Sequence, residues 1–256
     1  MTIQITIIKI KGYGPWTLEL GSDREAQLQI LQSNIYIKLQ EKFSERGGIV
    51  YSNRFDELVA ITNGISLNQH IEIQHELSEF HRELKLLMFV GIGSTPLDAN
   101  IDAYDAFMKN HISENNIFVN NANSAQPSER GTHIQVLHLD LDSSTTSLKT
   151  LSTYEVTALI FNIYSGLINE FIRLKSLAFY LGGDNFMIIS NNLNHEKIEA
   201  VIHRINNAHK IKFNCGIGTG LTGREAVMSA TKALDTIRKL RHKGIITSIR
   251  ENVADT

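Results

Sequence analysis

Three acidic residues set the chemistry this sequence can do. Asp140 and Asp142 end an apolar run, His133-Ile-Gln-Val-Leu-His-Leu-Asp-Leu-Asp142, that reads as a buried strand. Alternation with period two places both carboxylates on one face. Asp184 follows two glycines in Tyr180-Leu-Gly-Gly-Asp-Asn-Phe-Met-Ile-Ile-Ser190, where apolar runs flank a tight turn. Glycine supplies the positive φ that short hairpins need, so the stretch reads as strand, turn, strand. If the hairpin lies beside the first strand, Asp140 and Asp184 converge, and close carboxylates need a cation between them or a shared proton. Magnesium suits such a pair, because it takes hard oxygen ligands and bridges one or two carboxylates to substrate phosphates. Asn185 sits in the same turn and joins Asp140 and Asp184 as a catalytic candidate. Two turn-capping aspartates are the other reading. Against it, acidic residues that end an apolar strand have no packing reason to be there.

The rest of the chain must supply a fold that positions this turn. Its 256 residues allow one large domain or two of about half that size. Hydrophobic residues make up 42% and charged residues 20%, as in a globular protein. The apolar runs are strand length, which predicts no membrane span, and the N-terminus has neither a basic region nor a cleavage site, which predicts a cytoplasmic protein. The single cysteine, Cys215, excludes an internal disulfide and a cysteine-based zinc site. A net charge of −2 offers no general attraction to nucleic acid.

In order, residues 3–10 read as a strand and Gly12–Thr17 as a loop. Next comes a helix opened by a capping box, Ser22 with Glu25, and carrying Leu28, Leu31, Ile35, Leu39 and Phe43 on one face. Gly47 and Gly48 end it. Two short strands around a polar turn, a helix, a strand and a helix begun by Thr95-Pro96 complete the half. Residues 109–132, rich in Asn and Ser and without periodicity, read as a linker. The second half repeats the order: Ile134-Gln135 matches Ile3-Gln4, Asp184 falls on Asp56, Leu193-Asn194 matches Leu67-Asn68, and Gly216-Ile-Gly-Thr219 matches Gly91-Ile-Gly-Ser94. Its long helix is expected to carry Leu148, Leu151, Leu159, Ile163, Leu167 and Phe171, and Thr222 with Glu225 reads as another capping box. Ordered matches spaced by about 125–131 residues indicate a tandem duplication. The expected domains are 1–108 and 133–256, each βαββαβ, with an antiparallel sheet and helices packed on one face. The copies differ where chemistry would sit, since Lys9 and Lys11 occupy the places of Asp140 and Asp142.

The Asp-ended strand, the Gly-Gly-Asp hairpin and this order resemble the palm fold, of α+β class, shared by class III nucleotide cyclases and GGDEF diguanylate cyclases. Tyr13-Gly-Pro-Trp-Thr17, the turn Arg54-Phe55-Asp56, Ile61-Thr-Asn-Gly64 and Gly182-Gly-Asp-Asn-Phe-Met187 more closely resemble archaeal GTP cyclohydrolase III, over both halves. The resemblance implies hydrolytic opening of the imidazole ring of GTP with the formyl group retained. It also implies triphosphate cleavage to a monophosphate and phosphate, for riboflavin-type and deazaflavin synthesis. It implies two or more Mg2+ ions, a monovalent cation such as K+, and a homo-oligomer, dimer or tetramer. The metal ligands it implies are Asp140, Asp184 and the Leu141 carbonyl. Asp142 stands where the family also uses Asn, so its contact with metal stays open.

Ser143, Ser144, Thr145 and Thr146, read as opening the next helix, are phosphate-binding candidates through backbone N–H groups, or an ordinary helix cap. Arg238 is expected to reach the triphosphate, as its counterpart does in cyclases; with Lys239, Arg241 and Lys243 it also reads as a solvated cation favoured by the helix C-terminus. Tyr13, Trp16, Phe55 and Asp56 are candidates for guanine: an aromatic stacks, and a carboxylate accepts from N1–H and the 2-amino group. Trp16 and Phe55 also read as core. His138 reads as a proton shuttle or a hydrogen-bonded core residue. A nucleotidyl or diguanylate cyclase and a non-catalytic GTP-binding sensor are the alternatives to the hydrolase.

Overall fold

The computed structural model describes residues 2–54, 56–80, 85–109, 116–120, 133–142, 150–245 and 247–252. The chain divides into two compact units, one built chiefly from Met1–Ser94 and Asp98–Thr132, the other chiefly from His133–Leu221 and Glu225–Thr256.

The first unit holds β1 (Ile3–Ile10), α1 (Tyr13–Glu19), α2 (Arg24–Glu45), β2 (Ile49–Arg54), β3 (Glu57–Ile61), α3 (Leu67–Phe80), β4 (Leu86–Gly93), α4 (Pro96–Met108) and β5 (Ile117–Val119). Its sheet runs β2-β3-β1-β4-β5, with β1 antiparallel to β3 and β4, and β5 parallel to β4. The second unit holds β6 (Ile134–Leu141), α5 (Thr153–Arg173), β7 (Leu177–Gly182), β8 (Asn185–Ser190), α6 (His195–His209), β9 (Phe213–Gly220), α7 (Gly223–His242) and β10 (Ile249–Glu251). Its sheet runs β7-β8-β6-β9-β10, the same order strand for strand. The duplication read from the spacing is therefore present in the topology. Position matches position as well: Phe43 of α2 and Phe171 of α5 are both fully buried, each removing a ring from water at a gain of about 2–3 kcal/mol.

Several local expectations are corrected. Tyr13–Thr17 is helical, opening α1 after Gly12 as its N-cap; its proline lies in the first turn, where the missing N–H costs nothing. Ser22 does not cap α2. That helix starts after Asp23 without a side-chain cap, and Glu25 pairs with Arg24 at 3.5 Å instead. α5 begins at Thr153, beyond Leu151, with Ser152 and Glu155 forming a reciprocal capping box. Glu225 also accepts from the N–H of Leu221 at 3.0 Å. Within 109–132 lies β5, three residues too short to show a period, paired to β4. Helices also lie on both faces of each sheet. α2 with α3, and α5 with α6, share the larger cores with one face. α4 and α7 lie on the other face, where glycines of β4 and β9 let the helix backbone come close: a Cβ at Gly91 would strike Ala99 and Ala103, and one at Gly216 or Gly218 would strike Ala230.

Candidate active site

Asp140 and Asp184 reach each other because of strand register. β6 pairs with β8 so that Asp140 stands opposite Asn185, and the N–H of Leu141 donates to the Asp184 main-chain carbonyl at 3.3 Å. Gly182 and Gly183, with φ of 110° and 60°, make the turn that lifts Asp184 to the strand end; those angles strain any residue with a side chain. Asp140 is buried. Burial first, and the neighbouring charge of Asp140 second, push the Asp184 carboxyl above its ordinary value.

Alternation puts His138, Asp140 and Asp142 on the face covered by α7, and α7 answers them in turn. Thr231 Oγ1 lies 3.1 Å from His138 Nδ1. Arg238 pairs with Asp140 at 3.1 Å and with Asp235 at 3.2 Å. Arg241 grips Asp142 through both nitrogens, at 3.0 and 2.9 Å, and donates to Asn214 at 2.6 Å. Asp142 is thus held by a bidentate pair, the stronger form of carboxylate recognition, which makes it a strand-end anchor. Asn185 links the two acids' neighbours: its amide donates to Asp184 at 2.9 Å and its oxygen faces His138 Nε2 at 3.3 Å. Burial holds the His138 imidazole below its ordinary value, so the ring is neutral near pH 7.

Beside the pair opens a cavity of about 630 Å3 whose described lining includes Leu141, Val156, Ile160, Tyr180, Gly183 and Asp184. Among the described residues no group of three or more His, Cys, Asp and Glu converges as a metal cage. The oxygen-only pair nevertheless fits magnesium, which completes its shell with water and phosphate rather than with an all-protein cage. The perturbed Asp184 is what such a cation would relieve.

The structure brings together Asp140, Leu141, Asp184, Asn185 and Arg238. Ser143, Ser144, Thr145 and Thr146 lie outside the described residues. Tyr13 and Asp56 lie in the first unit and are neighbours, since the charge of Asp56 adds to burial in raising the Tyr13 phenol. The Tyr13 hydroxyl accepts from Gln32. Phe55 and the side chain of Trp16 are outside the described part. Sequence reading did not single out Thr231, Asp235 or Asn214, which carry no motif and meet the strand only through the fold. For Thr231 and Asp235 the signal was helical spacing with Arg238 along α7; Asn214, on β9, had none.

The GTP cyclohydrolase III family pattern matches residues 3–251. The chain is 33% identical to GTP cyclohydrolase III of Methanocaldococcus jannaschii over 96% of this chain and 92% of that protein. It is 32% identical to GTP cyclohydrolase III of Methanobrevibacter smithii, over 92% and 94%. Among solved structures, the active GGEEF domain of a diguanylate cyclase from Vibrio cholerae aligns with a TM-score of 0.36 at 13% identity, over 48% of this chain and 85% of that one.

Proposed function

Because this chain belongs to the GTP cyclohydrolase III family, we propose that it opens the imidazole ring of GTP by magnesium-dependent hydrolysis and cleaves the triphosphate. The products are a formylaminopyrimidine ribonucleotide monophosphate and phosphate. The observation that carries the reading is the Asp140–Asp184 pair, delivered by a strand end and a glycine turn and electrostatically strained at Asp184.

Asp140 and Asp184, with the Leu141 carbonyl, would hold the cation. When bound, it supplies charge neutralisation on the triphosphate and Lewis-acid activation of water. The protein's own groups do the rest. Arg238, exposed enough to move and already between two carboxylates, turns its guanidinium to the phosphate oxygens. Asn185 holds one Asp184 oxygen by a hydrogen bond and so orients the carboxylate toward the cation. Ser143–Thr146 supply further phosphate donors. In the first unit Tyr13, Trp16, Phe55 and Asp56 recognise guanine, with the carboxylate accepting from its N1–H and 2-amino group. A monovalent cation such as K+ and a homo-oligomeric assembly belong to the same reading.

Purified protein is incubated with GTP and magnesium while ultraviolet absorbance and free phosphate are followed together. The expected result is loss of the guanine band with release of phosphate, and a monophosphate product whose mass retains the formyl carbon. A product with an intact guanine ring would overturn the proposal: cyclic or dinucleotide would identify a cyclase, and unchanged GTP would identify a sensor.

A further inference from the structure

His138 has no place in the mechanism above, yet it is polar, half-buried and on the central strand. Its partners give it a direction. A carboxylate only accepts, so the contact between Asn185 and Asp184 at 2.9 Å fixes the Asn185 nitrogen toward Asp184. The amide oxygen then faces His138 Nε2 at 3.3 Å, and that nitrogen must donate. Nδ1 is left to accept, and Thr231 Oγ1, 3.1 Å away, is its donor. The donors run one way, from Thr231 through His138 and Asn185 to one oxygen of Asp184.

The first unit lacks this chain at the same positions. By strand register Ile7, buried, stands where His138 stands, and Glu57 stands where Asn185 stands. The fold therefore accepts an aliphatic side chain at this point of its central strand. The polar version accompanies the copy that bears the carboxylate pair.

We infer that His138, its Nδ1 accepting from Thr231, is a positioning residue that orients the Asp184 carboxylate through Asn185. The inference rests on the reading of Asp184 as a metal ligand. A free carboxylate rotates about its last bond; pinning one oxygen aims the other. Partners behind a ligand typically change metal affinity by about 10–100-fold.

The test uses the full chain with the imidotriphosphate analogue of GTP and manganese(II) as the probe, with binding read from the free-ion resonance. His138→Leu, which copies the first unit's aliphatic choice, should bind manganese roughly tenfold or more weakly while its melting temperature stays near the parent's. His138→Gln, whose amide nitrogen reaches the Nε2 position, should recover most of the affinity. Thr231→Val should weaken binding less, in the same direction, and should stand in for His138→Leu if that variant does not fold. In turnover, the magnesium requirement should rise more than kcat falls at saturating metal. Asp184→Asn separates the two levels of the argument. If it binds manganese as the parent does, the metal reading fails and this inference with it. If it loses binding while His138→Leu and Thr231→Val keep it, the metal reading stands and the positioning role is overturned. Equal losses in His138→Leu and His138→Gln would also overturn it, because a donor at that point would then not matter.

Discussion

The two units share strand order, register and buried positions, but they settle the charge at the end of their central strand differently. In the first, Lys9 stands where Asp140 stands in the second. Its ammonium pairs with Glu57 at 3.0 Å and rests over the Phe107 ring, while Arg54 and Asn53 close on the same carboxylate at 2.7 and 2.8 Å. That corner is neutralised from within. In the second, Asp140 and Asp184 crowd together, and Arg238 pairs with Asp140 at 3.1 Å. One backbone can thus be closed by its own ion pairs or left needing a cation from outside, and a handful of strand-end residues decides which.

The sharpest way to break this comparison is turnover. Asp140→Asn and Asp184→Asn should each cost more than the roughly 10–100-fold that partners behind a metal ligand cost, with circular dichroism unchanged. Full activity in either variant with magnesium present would erase the difference between the units. Next in size is stability in the first unit. Glu57→Gln leaves the part-buried Lys9 without its carboxylate, while the exposed Arg54 keeps Asp56 at 4.0 Å, and should destabilise by up to about 3 kcal/mol in urea unfolding. An unchanged midpoint would mean that the corner is not closed by charge.

The third prediction is a pH effect from one histidine of the first unit. His70 donates from Nδ1 to the Ser66 carbonyl at 2.8 Å and accepts at Nε2 from Thr6, and burial lowers its pKa to about 4. At the place of Thr6 the second unit has Leu137, fully buried. Because the folded value lies below the unfolded one, near 6.5, the contribution is complete above that pH. It is lost as pH falls toward the folded value, at about 1.4 kcal/mol per unit. Urea midpoints at pH 7 and pH 5 should therefore fall by about 2 kcal/mol in the parent and much less in His70→Gln. Equal slopes in the two proteins would refute the assignment. The smallest effect is at Asp184, whose raised value means that its ionised form costs stability above the ordinary carboxylate range. After allowance for solvent screening, Asp184→Asn should leave the protein unchanged or more stable by at most about 1 kcal/mol. Marked destabilisation would show that Asp184 is structural after all.

What the sequence made legible was periodic or paired in order. Strand-length apolar runs, the Gly-Gly-Asp turn and the matched positions of the two halves revealed the duplication and the carboxylate pair. What it hid was set by competition or by distance along the chain. The Gly-Pro in Gly12–Thr17 suits both a turn and a first helical turn, and the unit's packing chose the helix. Ser22 and Glu25 have capping spacing, but Arg24 claims the glutamate. The grip of Arg241 on Asp142 joins residues far apart in sequence, where no local pattern reports it. Placement of α4 and α7 on the second face is written only in alternate glycines of β4 and β9, which read equally well as turns or weak strands.

Those glycines have a consequence for how α7 keeps time with β6. The helix sits at backbone contact through Ala226, Ala230 and Leu234, so it can neither float nor roll. Moving down the strand through His138, Asp140 and Asp142, the partners taken from the helix are Thr231, Arg238 and Arg241, in the same direction. The two elements behave like a rack and pinion stopped at one tooth. The strand advances about 6.6 Å between successive members, while the helix advances about 10 Å and then about 4.5 Å. The long arginine arms absorb the mismatch. One residue inserted after Leu234 would keep the glycine contact and the Thr231 tooth but turn both arginines by about 100°, uncoupling the anchored helix from the acids it serves.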